Sequence, residues 1–101
     1  MADDDTDRRR ADDMSLEELR REIETIDHEL VELIARRTYV AETIAEVKAE
    51  RELPTEDEAQ EQRVLERAAR NAERFRVDAD IVRDVFRLLI ELNKVEQRDR
   101  R

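Results

Sequence analysis

The sequence predicts an all-α fold of three helices, one long and two shorter, that needs a second chain to bury its apolar surface. Three observations carry this. The 101 residues include no glycine and one proline, so strong breaks between helices are few. Charged residues make up 49% and hydrophobic residues 39%, and the abundant Glu, Arg, Ala and Leu are helix formers. Apolar residues recur at steps of three and four from Leu16 to Val47, the spacing of one long amphipathic helix.

The first fourteen residues, MADDDTDRRRADDM, have no apolar periodicity. Burial cannot offset their ordering entropy, so 1–14 is expected to be a disordered acidic tail and 15–101 a single helical domain. Ser15 and Glu18 form a Ser-x-x-Glu capping box that opens the first helix. Its seam is Leu16, Leu19, Ile23, Ile26, Leu30, Leu33, Val40, Ile44 and Val47, with Arg37 filling one step. A helix from Ser15 to Arg51 is roughly 55 Å long. A compact monomer of this size has a radius of gyration near ~13 Å, so the seam needs a partner.

Pro54 disfavours helical geometry at Leu53, so the first helix is expected to fray after Lys48. Thr55 and Glu58 form a second capping-box pattern. The helix it opens runs to about Arg74, with Val64, Leu65, Ala68, Ala69 and Ala72 as a narrow face that another helix can approach closely. Asp78 is the expected N-cap of the third helix, with Val77 and Val82 placed as a hydrophobic staple. That helix, through Ile81, Val85, Phe86, Leu89 and Val95, is the most apolar and is expected mainly inside.

The net charge of −9 argues against nucleic acid as a partner, because neutralising phosphates needs a basic surface. No apolar run reaches membrane length and no signal core opens the chain, so the expectation is a cytoplasmic protein with no membrane partner. Cysteine is absent, which removes disulfide and thiol chemistry. Of twenty cationic side chains only Lys48 and Lys94 are lysines. An acidic, lysine-poor chain suits a halophilic cytoplasm, where salt screens self-repulsion. The expected result is an unfolding midpoint that rises with KCl; a midpoint indifferent to salt counts against that origin.

Polar residues interrupt the inner faces. Arg37 reads either as a seam arginine satisfied by Glu or lying along the surface through its methylenes, or as a group kept for a ligand. Lys48 lies about three turns further along the same face. It either complements the helix dipole or joins Arg37. Arg20 lies about 25 Å from Arg37 along the axis, so the two meet only if a second copy runs antiparallel. Asp57 and Glu61 share a face of the second helix and are otherwise solvated first-turn acids. Asn93 and Gln97 share a face of the third, as a polar pocket or as a frayed end.

The order Leu19-Arg20, Ile26-Asp27, Leu30, Leu33, Ala35-Arg36-Arg37, Val47-Lys48, Pro54, Asp57, Glu61, Val64-Leu65 and Phe86 through Gln97 resembles the all-α chorismate mutases. The resemblance spans about residues 15–99 without an internal gap. It implies an intertwined antiparallel helical homodimer with two sites, each rearranging chorismate to prephenate on the route to Phe and Tyr. It implies no cofactor and no metal. Arg37 and Lys48, with Arg20 from the other chain, correspond to the carboxylate-binding cations. Lys48 and Gln97 correspond to the donors on the ether oxygen of the breaking bond. Asp57, by its backbone, and Glu61 correspond to the partners of the ring hydroxyl. Asn93 replaces a small hydroxyl residue near a carboxylate. Gln60 stands where many members have Arg, which removes a charge from one carboxylate contact. An isochorismate pyruvate lyase-like relative and a non-catalytic regulatory helical dimer share the same helices. The length leaves no room for a fused second enzyme, so a monofunctional mutase is expected.

Overall fold

The computed structural model describes residues 14–54 and 57–99, the last three by backbone alone. Residues 1–13 of the expected tail, Thr55 and the Gln97 side chain lie outside that description. Among the described residues the chain is three helices in order: α1 (Leu16–Glu50), α2 (Glu58–Arg74) and α3 (Ala79–Asp99). No helix among them is long and apolar enough to cross a membrane.

The chain forms two compact units, one ending at Ala35 and one beginning at Arg36. In the first, the Glu18 N–H donates to Ser15 Oγ at 3.2 Å, and the Ser15 hydroxyl donates to Glu18 Oε1 at 3.1 Å. The expected cap is therefore present, with the carboxylate turned to the hydroxyl. Ile23, Ile26, Leu30 and Leu33 of this unit are all exposed in the single chain.

The second unit holds the rest of α1 with α2 and α3. Its core is Leu65, Ala68, Ala69 and Ala72, each at most 6% exposed. These belong to the small-residue face expected from the sequence, and α3 packs on α2. Alanines let the two backbones approach closely, so the interface is tight but thin. For that reason α3 is little covered within the single chain. Among its described side chains none is buried, and Ile81, Val85, Leu88 and Val95 are exposed. One narrow alanine stripe covers one side of a helix that is apolar on more than one. The α1 seam residues Val40, Ile44 and Val47 are likewise uncovered.

Helix ends explain a departure from expectation. Rather than fraying after Lys48, α1 continues to Glu50 and closes: Leu53 N–H donates to the Lys48 carbonyl at 2.7 Å and Glu52 N–H to that of Ala49 at 3.1 Å. Glu52 takes φ of 57°, which makes this a Schellman closure, followed by the proline that prevents continuation. The same pattern ends α2, where Val77 donates to Ala72 and Arg76 to Glu73, with Arg76 at φ 60°. Lacking glycine, the chain places charged residues in the left-handed region at both sites, at about 1 kcal/mol each. Glu52→Gly and Arg76→Gly are each expected to raise stability by about 0.5 kcal/mol, the relief being partly offset by unfolded-state entropy. Urea unfolding measures this, and a loss of stability in both variants contradicts it.

At the other end of the loop, Asp57 caps the start of α2; the Thr55 box lies outside the described residues. Asp57 Oδ1 accepts the Gln60 N–H at 3.1 Å, and the helix begins one residue later at Glu58. Asp caps at least as well as Thr, and Asp57-x-x-Gln60 is itself a cap pattern. Asp78 caps α3 as expected, accepting the Ile81 N–H at 2.9 Å.

Candidate active site

Arg37 is the centre of the polar cluster in the second unit. It is half-buried, its Nη1 donates to Asn93 Oδ1 at 3.0 Å, and its Cζ stands 5.6 Å from the Phe86 ring centroid. Asn93 in turn directs Nδ2 toward Thr38 Oγ1 at 3.4 Å. Its hydrogen-bond partner within the chain is a neutral amide from α3 and not a Glu. Among the described residues no carboxylate forms an ion pair with Arg37. Burial, and secondarily the guanidinium of Arg67, lower its pKa from the ordinary arginine value. Arg37 still remains a cation. A half-buried positive charge held by an amide and an aromatic face, with a second cation repelling it, is a place for an anion.

Asn93 is thus not on a frayed end; it is half-buried and bonded on both sides. Lys48 is half-buried in the last turn of α1. The bond from Leu53 to its carbonyl anchors its backbone, so the α1 closure positions the lysine. Its ammonium makes no ion pair with another described residue.

On α2, the side chain of Asp57 is committed to the cap, with Arg63 Nη2 4.0 Å from its Oδ2. Gln60 is exposed, and its Oε1 accepts from Arg63 Nε at 2.9 Å, which turns its amide NH2 the other way. Glu61 is half-buried, with its carboxylate 3.3 Å from Lys94 Nζ on α3. Arg20 belongs to the first unit and is exposed there. The second unit therefore contains Arg37, Lys48, Asp57, Gln60, Glu61 and Asn93, and it joins Arg37 to Asn93 directly.

Sequence reasoning missed Lys94, Thr38 and Arg67 as members of this cluster. Lys94 carried a usable signal, being one of two lysines in a chain that otherwise uses arginine. Arg67 and Thr38 carried none, since each resembles many solvated neighbours.

Residues 19–98 match the model of the family chorismate mutase type II. The chain belongs to this family. A chorismate mutase of Methanocaldococcus jannaschii is 34% identical over 83 residues, which cover 82% of this chain and 84% of that protein. The T-protein of Haemophilus influenzae is 33% identical over 73 residues, 72% of this chain but 19% of that much longer protein. The chorismate mutase type II match takes in all three helices and every site residue considered above. The all-α architecture of the chain agrees with it.

Proposed function

We propose that the chain is a chorismate mutase that rearranges chorismate to prephenate, acting in the cytoplasm as an antiparallel homodimer whose sites each receive Arg20 from the partner subunit. The observation that carries this is the half-buried Arg37 guanidinium, held by Asn93 and Phe86 without a carboxylate partner. The reaction is intramolecular. One C–O bond breaks as one C–C bond forms, and no proton or electron leaves the substrate. The protein's work is therefore conformational and electrostatic.

In this reading Arg37 forks a substrate carboxylate, and Asn93 fixes the plane of that fork. The partner subunit's Arg20 grips the other carboxylate, so that both ends of a flexible dianion hold the enolpyruvyl arm over the ring. Lys48 and Gln97 donate to the ether oxygen, where negative charge develops as the bond breaks. Glu61 accepts the ring hydroxyl beside the Asp57 backbone, since the Asp57 side chain is spent on the cap. Gln60 contributes its amide NH2 to a carboxylate without charge. The uncovered apolar residues of α1 and α3 support the dimer: each helix presents more apolar surface than one chain covers.

Following chorismate absorbance with the purified protein, in low and in molar KCl, tests the reading. Prephenate formation is expected, faster in salt, because screening relieves the repulsion between an acidic protein and a dianion. No turnover at either salt level overturns it. Pyruvate released from isochorismate without prephenate from chorismate reassigns the chain to the lyase class.

A further inference from the structure

Asn93 and Lys94 are consecutive on α3, so their side chains leave the helix about 100° apart. Each ties α3 to a different neighbour. Asn93 reaches Arg37 on α1, and Lys94 reaches Glu61 on α2. The Lys94 ammonium sits 3.3 Å from Glu61 Oε2 and 3.5 Å from Oε1, so it straddles the carboxylate. Both partners are shielded, at 35% and 30% side-chain exposure. The other ion pairs among the described residues lie within one helix or at its cap, and each has at least one far more exposed partner.

We propose that Lys94 is a positioning residue for Glu61: it neutralises the carboxylate toward an approaching dianion and holds it in the orientation that accepts the substrate's hydroxyl. This deepens the chorismate reading and rests on it. The physical need is specific. A hydroxyl partner must be an acceptor, yet a bare carboxylate within a site for two substrate carboxylates repels what it should bind. A counter-cation from behind removes the repulsion and leaves the remaining lone pairs available. Stability is a poor alternative explanation, because a partly solvated pair of this kind contributes little to folding.

The test uses the full chain and measures kcat and KM for chorismate in Lys94→Met, Lys94→Arg, Glu61→Gln and the Glu61→Gln/Lys94→Met double variant. Lys94→Met is expected to raise KM about tenfold with kcat changed less than about twofold, an effect that shrinks as KCl rises. Lys94→Arg restores KM. In the Glu61→Gln background the same Lys94→Met step shifts KM by less than about twofold, because the charge it neutralised is gone. The double variant also leaves no unpaired charge, so it keeps the test valid if Lys94→Met alone folds poorly. An unchanged KM in Lys94→Met, or an equal shift in both backgrounds, overturns the proposal while leaving an active wild type a mutase. A wild type that does not turn over chorismate overturns the functional reading itself, and this inference with it.

Discussion

Arg37→Ala is expected to lower kcat/KM for chorismate by about a thousandfold while the helical signal and the dimer persist. The size follows from what is removed: a fixed, charge-assisted donor whose loss in comparable sites costs about 10²–10³ in rate, here acting on binding as well. The fold has less to lose. Arg37 is only half-buried, its bonded partner is one amide, and Asn93 keeps Thr38 as a neighbour. Arg37→Lys is a sharper probe. It keeps the charge but not the planar fork, so it cannot hold Asn93 and a carboxylate in one plane. It should recover only a small part of the activity. Steady-state kinetics, circular dichroism and sedimentation together decide the matter. A variant that dissociates or loses helix makes Arg37 a structural residue of the seam.

Mixing two inactive variants should restore activity. Arg20→Ala and Arg37→Ala homodimers are each defective in both sites if every site draws Arg37 from one chain and Arg20 from the other. After unfolding and joint refolding, half the dimers are mixed. Each mixed dimer has one site with both arginines intact and one with neither. Activity should return to about a quarter of the wild-type level at equal total protein. Sites built within one chain leave the mixture as inactive as its components. The experiment therefore reads shared-site architecture directly, independent of how strongly either arginine contributes.

These expectations differ in how far they could be read along the chain. Helix number, the Ser15 and Asp78 caps and the alanine face of α2 were legible, because each depends on residues within about one or two turns of one another. The Asp57 cap of α2 was not. Thr55 and Asp57 offer overlapping caps two residues apart, and Asp57 closes the helix with the Gln60 N–H. The end of α1 was misread for a related reason. A glycine-free chain gives no visible marker of a left-handed C′ residue, yet Glu52 takes that conformation.

Local periodicity and residue chemistry determine three helices, a seam too long for one compact chain, and an unusual arginine within that seam. They do not determine what the arginine touches. Arg37 meets Asn93 across 56 positions of sequence, and Glu61 meets Lys94 across 33. Such pairs follow from how the helices of the second unit pack and from which rotamers of long side chains then reach each other, information no helical repeat contains. Tertiary structure alone turned the interruption in the seam into a cation held by an amide and Phe86, and set a lysine behind the shielded carboxylate of Glu61. The reason is the short range of helical order: it orients a side chain about its own axis, and only packing chooses its neighbour.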